Sequence, residues 1–160
     1  KGKMDLWYMF ACKGIDYLKN NGILSFIAQN NWGTSYGASK MRNKIIKETQ
    51  ILSLVDFGAY KIFDAGIQTM VMIFQKNTAK ENYSFDYRKL HSNDLNLTDV
   101  VSLLKKEENS KTEYLEPEIF RNLFIDKPLT FYTSNIRQVL EKISKKSNFK
   151  KKNDRILFIV

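Results

Sequence analysis

Ten residues, 58–67, separate two apolar runs that read as strands, "ILSLVDF" at 51–57 and "QTMVMIFQK" at 68–76. A crossover between parallel strands takes a dozen residues or more. The two strands are therefore expected to be antiparallel neighbours, or to be bridged by a wide loop. The loop, "GAYKIFDAGI", is polar, glycine-flanked and holds a phenylalanine, Phe63. That ring either plugs the sheet edge as core or is held out to touch a ligand.

The chain upstream sets the frame for this pair. Between Met4 and Leu18, apolar residues fall at Leu6, Trp7, Phe10, Ala11, Ile15 and Leu18, the three-and-four spacing of an amphipathic helix. "KNNG" (19–22) is a helix stop. "GILSFIA" (22–28) is short and apolar on both faces, as expected of a central strand covered by helices. After the loop "QNNWGTSYGAS", Ala38 to Lys47 reads as a second helix. Its Met41, Ile45 and Ile46 face inward, with Arg42, Asn43 and Lys44 on the wet side. Helix–strand–helix–strand–strand belongs to the α/β class.

Past Lys76 the character changes. "ENYSFDYRKL" (81–90) reads as a polar, exposed strand and "DLNLTDVVSLLKK" (94–106) as a short helix. The stretch 111–129, which holds both prolines, reads as irregular. "TSNIRQVLEKISKK" (133–146) has a helical apolar face at Ile136, Val139, Leu140 and Ile143. "KKNDRILFIV" ends on an uncapped apolar run, and the chain starts on Lys. Both ends read as cuts in a longer protein.

Composition narrows the function classes. With 26 Lys+Arg against 17 Asp+Glu, the net charge is +9. That balance favours polyanions through long-range attraction and counterion release; the alternative is a lysine-rich, uniformly solvated surface. One cysteine, Cys12, and one histidine, His91, cannot supply a zinc site, and no acidic run has calcium-loop spacing. No phosphate-cradling or dinucleotide glycine motif is present. A single cysteine rules out an internal disulfide and fits a reducing cytoplasm. No apolar run approaches the roughly 20 residues of a membrane span.

Three segments in order, "DLWYMFACKGIDYLKNNGILSFIAQNNW", "GASKMRNKII" and "ILSLVDFGAYKIFDAGIQTMVMIFQK", resemble the second half of an adenine-N6 DNA methyltransferase. The resemblance is in particular to the fused type IIG restriction–modification enzymes and their methylase relatives, and it covers residues 3–76. In that family a helix opening "DL(Y/F)…F" leads to the fifth strand. A helix carrying "LR", here "KMR", follows. Then come a strand ending "DF", a "VF" loop, here "IF", and a strand ending in Lys. Further on, "LEKISKKSNF" (140–149) resembles the link these enzymes place before their target-recognition domain.

The resemblance implies a fold and a chemistry. The fold is the C-terminal half of a Rossmann-like class I methyltransferase sheet with flanking helices, over residues 1–80. A mixed α/β extension toward a target-recognition domain follows over 81–160. The chemistry is transfer of a methyl group from S-adenosylmethionine to an adenine flipped out of duplex DNA. Phe63 occupies the position whose ring stacks on that adenine. Asp5, Leu6 and Phe10 match the motif that walls the cofactor pocket near the target base. Asn30, Asn31 and Trp32 follow a strand end, where α/β sheets place ligands; Trp32 alternatively anchors its loop. Arg42 and Lys61 are candidates for the DNA backbone, or else solvated residues. The family's catalytic "NPPY"-type tetrad and glycine-rich cofactor turn are absent, and both normally lie upstream. The upstream half of the domain is thus an implied partner, and the chain alone is expected to be inactive. Two other readings stay open: a basic nucleic-acid-binding module without chemistry, and an RNA or small-molecule methyltransferase on the same fold.

Overall fold

The computed structural model describes residues 4–131; the expected helix at 133–146, the recognition-domain link at 140–149 and the apolar run at 151–160 lie outside them. The first five elements follow the expected order: α1 (Leu6–Tyr17), β1 (Ile23–Gln29), α2 (Ser39–Glu48), β2 (Gln50–Asp56) and β3 (Thr69–Gln75). β2 and β3 are antiparallel neighbours, with Val55 opposite Val71, as the short connection demands. β1 takes the other edge of β3, also antiparallel, with Ile27 opposite Val71. β1 and β2 therefore point the same way, and their C-terminal ends meet the start of β3 at one edge.

The position of β1 differs from expectation. It is the end strand of the sheet among the described residues, and its burial alternates along its length. Among the described residues only one face of β1 carries a helix. Leu24, Phe26 and Ala28 pack beneath α1, so closely that a Cβ on Gly14 would lie 2.9 Å from Leu24 Cδ1. Ile23 and Ile27 point away from it and are exposed.

α1 is turned differently from the simplest reading of its spacing. Tyr8, Ala11 and Ile15 are buried, whereas Leu6 and Phe10 are 66% and 61% exposed. Apolar residues lie on more than one side of this helix, so two rotational phases fit the same period. The Trp7–Phe26 ring contact, at 6.3 Å, goes with the phase adopted. α2 buries Met41, Ile45 and Ile46 as expected.

Beyond β3 the chain forms β4 (Asn82–Ser84), β5 (Asp86–Leu90), α3 (Leu97–Lys105), β6 (Thr112–Leu115), β7 (Glu118–Phe120) and the single turn α4 (Arg121–Phe124). α3 is the expected short helix, and a reciprocal cap between Asn96 and Asp99 starts it. The stretch 81–90 is neither exposed nor one strand. Tyr83, Phe85 and Tyr87 are buried at the period-two spacing of a half-buried strand, which the charges between them obscure. β5 pairs parallel to β2, and β6 pairs antiparallel to β5. The sheet order is β1-β3-β2-β5-β6.

The supposedly irregular 111–129 holds β6, β7 and α4, with β7 paired to β4. Arg121 ties this part to the rest. Its guanidinium donates to the carbonyls of Lys80 and Thr49, each at 2.7 Å, of Asn77 at 3.0 Å and of Ile46. One core lies under α1 and α2, and a smaller one lies on the opposite face under α3.

Candidate functional site

The edge where β1 and β2 end gathers the polar side chains. β1 runs into a 3-10 turn, Asn30–Gly33. Asn30 Nδ2 donates to Asp56 Oδ1 at 2.9 Å, and the Gly58 amide donates to the same oxygen at 2.9 Å. Asp56 is only 5% exposed, so its carboxylate is solvated by these donors in place of water. It joins the turn after β1 to the loop after β2. The resemblance matched it as part of the strand ending "DF" without giving it a role, although a carboxylate closing an apolar strand at a sheet edge is a signal in itself.

Tyr87, on the neighbouring β5, is also buried. Burial pushes its hydroxyl well above the ordinary tyrosine range, and the charges of Asp56 and Glu113 add to the effect. It is therefore a neutral phenol under ordinary conditions. Asn30, Trp32, Thr34, Asp56, Tyr87 and Lys89 line a cleft of about 230 Å³, which Met70, Leu129 and Phe131 close with apolar surface. The far wall depends on Gly33. The Leu129 amide donates to its carbonyl at 2.8 Å, and a Cβ there would stand 2.7 Å from Leu129 O.

The loop bearing Phe63 is held at its root and open at its tip. Gly58 adopts φ +55°, and a Cβ would fall 2.2 Å from Leu90 O. Tyr60 and Ile62 pack onto the core under α3, so the plugging role falls to Ile62. Phe63 remains 46% exposed. Lys61 beside it is exposed and, among the described residues, has no ion-pair partner.

Other expected site residues divide. Asn30 and Trp32 line the cleft; Asn31, next to them, is exposed. Trp32 is 1% exposed and meets Phe74 edge-on at 6.2 Å, which makes it an anchor of its loop as well as a wall. Asp5, Leu6 and Phe10 are exposed and do not line this cleft. Trp7 meets Phe26 and Gly14 meets Leu24, so α1 runs antiparallel to β1. The end that carries Asp5 and Leu6 thus lies toward the same sheet edge.

Arg42 is a correction. It is 5% exposed, and its guanidinium donates to Trp32 O at 2.7 Å and to Ser35 O. Burial lowers its pKa. It braces the turn after β1 and is not free for a phosphate, because the curl of residues 30–38 brings carbonyls over a helix face that would otherwise be wet. Cys12 is half-buried with its pKa raised by that burial, which suits packing more than nucleophilic chemistry. Among the described residues no three His, Cys, Asp or Glu side chains group as metal ligands, and no helix is long and apolar enough to cross a membrane.

Residues 1–63 match the family described as Eco57I restriction-modification methylase. The match covers 63 of the chain's 160 residues. The likeness in fold extends further than the matched residues. The type IIG restriction endonuclease BpuSI superposes on 91% of this chain and 18% of its own length, at TM-score 0.53 and 13% identity. A protein described as the modification subunit of a type I restriction enzyme from Vibrio vulnificus YJ016 superposes on 63% of this chain and 24% of its own, at TM-score 0.41 and 8% identity. The α/β class is thus shared with a much longer restriction enzyme, of which this chain spans under a fifth. The matched stretch includes α1, β1, α2, β2 and the root of the loop as far as Phe63.

Proposed function

We propose that this chain forms the target-base side of a DNA adenine-N6 methyltransferase that uses S-adenosylmethionine. The observation that carries the reading is the Phe63 loop. Its root is pinned through Gly58 and Asp56, Tyr60 and Ile62 are packed, and yet Phe63 stays half-exposed beside the strand ends. Taking an adenine out of its duplex costs a few kcal/mol. A waiting aromatic face returns about 1–3 kcal/mol per stacked base. A ring that is exposed but positionally fixed supplies that return without a further ordering cost.

The other residues fit supporting roles. Asp56 and Asn30 hold the two turns of the site in register. Trp32 sets the wall behind them. S-adenosylmethionine supplies the electrophilic methyl group. From this chain an exposed carboxylate, Asp5, and the exposed apolar residues Leu6 and Phe10 are offered toward it, a combination suited to an adenosyl group with a cationic side chain. Lys61, exposed next to the ring's position in the chain, is assigned to the DNA backbone. Residues 81–160 connect this half-domain to the part that reads sequence.

The test uses the full-length protein that carries this chain, with labelled methyl donor and duplex DNA. Label is expected in N6-methyladenine after digestion to nucleosides. Phe63→Ala is expected to lower kcat/KM by about 5- to 150-fold, the rate equivalent of losing one stacked base, while Phe63→Trp keeps most activity. Label in cytosine or in RNA, or unchanged turnover in Phe63→Ala, would overturn the reading.

A further inference from the structure

We propose that Lys89 holds a DNA backbone phosphate beside the extruded base, an inference that rests on the DNA-methyltransferase reading above. Lys89 is the penultimate residue of β5. Its Cα pairs with that of Asp56 across the parallel register, so it stands at the edge where β1 and β2 end. It is half-buried and lines the same cleft as Asn30 and Thr34.

Other lysines around the sheet are already committed. Lys44 meets Asp16 at 2.7 Å, Lys106 meets Asp86 at 2.7 Å and Lys111 meets Asp99 at 3.2 Å. Lys76 donates to the last carbonyls of α1. Lys89 is different. Two carboxylates share its rung, Asp56 on one side and Glu113 on the other, yet among the described residues none comes within ion-pair distance of it. Asp56 is turned toward Asn30 and Gly58 instead. The arrangement that satisfies Asp56 leaves the ammonium without a counter-charge.

A half-buried cation gains from an anion that reaches it, because the protein has already removed part of its water. Apolar walls at Leu129 and Phe131 concentrate its field. An ammonium is a point charge suited to a phosphate, and phosphate contacts fix the register of a duplex on its protein. Thr34, exposed at the cleft mouth, adds a hydroxyl donor.

The experiment follows binding of the full-length protein to duplex DNA by fluorescence anisotropy over a salt series. One lost phosphate contact lowers the slope of log K against log salt by about 0.9. Lys89→Gln is expected to lose that much slope and to weaken binding equally across DNA sequences. Lys89→Arg should keep the slope, as should Lys47→Gln on the far side of α2. A folded Lys89→Gln protein with the wild-type slope overturns the proposal. Should that variant not fold, wild-type protein is titrated against duplexes with one neutral methylphosphonate beside the target adenine. A slope lower by about one supports the contact, and an unchanged slope overturns it. The readout is binding alone. A protein that loses slope in Lys89→Gln but methylates no adenine therefore overturns the proposed activity and leaves the phosphate contact standing.

Discussion

Asp56 and Arg42 are both charged, both buried, and both bonded to neutral groups. A buried charge is tolerable when donors or acceptors replace its water, and here the replacements come from turns that meet only after folding. Sequence spacing cannot show such partners: Arg42 lies one residue from the buried Met41, and its acceptors are carbonyls 7 and 10 positions back. Phe63 is the opposite case, because its exposure could be anticipated from polar neighbours and flanking glycines. The structure adds which neighbour takes the core position, namely Ile62. For Asp56 the expected cost is specific. Asp56→Ala strands Asn30 Nδ2 and the Gly58 amide and should lower stability by about 1–3 kcal/mol. Asp56→Asn keeps an acceptor oxygen and should lose less. Urea unfolding of the two variants measures this, and a wild-type midpoint for the alanine variant would remove Asp56 as a structural hub.

The elements themselves were legible wherever one period dominated. α2, β2, β3 and α3 appear where their patterns place them. α1 was legible as a helix but not in its rotation, because Leu6 and Phe10 form a second apolar side. β5 was legible as part of a strand over 81–90, but its burial was concealed because Arg88 and Lys89 sit between buried aromatic and aliphatic residues. The loops that join these elements carry a separable prediction through three glycines. At Gly58 an alanine meets both φ +55° and the Leu90 carbonyl, so Gly58→Ala should cost more than about 1 kcal/mol. At Gly33 the obstacle is the Leu129 carbonyl at 2.7 Å, so Gly33→Ala should move the 129–131 wall and open the cleft. At Gly66 nothing lies within 4 Å of the added Cβ, and Gly66→Ala should be neutral or stabilise by about 0.4–1 kcal/mol through the unfolded chain. Thermal melts of the three variants rank them, and equal effects at Gly58 and Gly66 would contradict the close approach seen at Leu90.

At the scale of the whole molecule, two forces act on the same chain in opposite directions with salt. The net charge of +9 holds copies apart. Leu6, Met9 and Phe10 on α1, at 66%, 53% and 61% exposure, and Ile23 and Ile27 on β1, at 58% and 42%, draw them together. β1 adds an edge that no strand covers among the described residues, a template for pairing with another chain. Raising salt from about 0.1 to 1 M shortens the screening length from about 10 to 3 Å, which removes the repulsion and leaves the apolar attraction in place. Residues 1–160 produced alone should therefore associate more strongly as salt rises, whereas the DNA binding we propose should weaken over the same range. Sedimentation velocity at a fixed protein concentration separates the two. Phe10→Lys combined with Ile27→Lys should restore the monomer by adding charge and removing apolar surface together. A chain that stays monomeric across the whole salt range would show that these faces are too small or too divided to drive association.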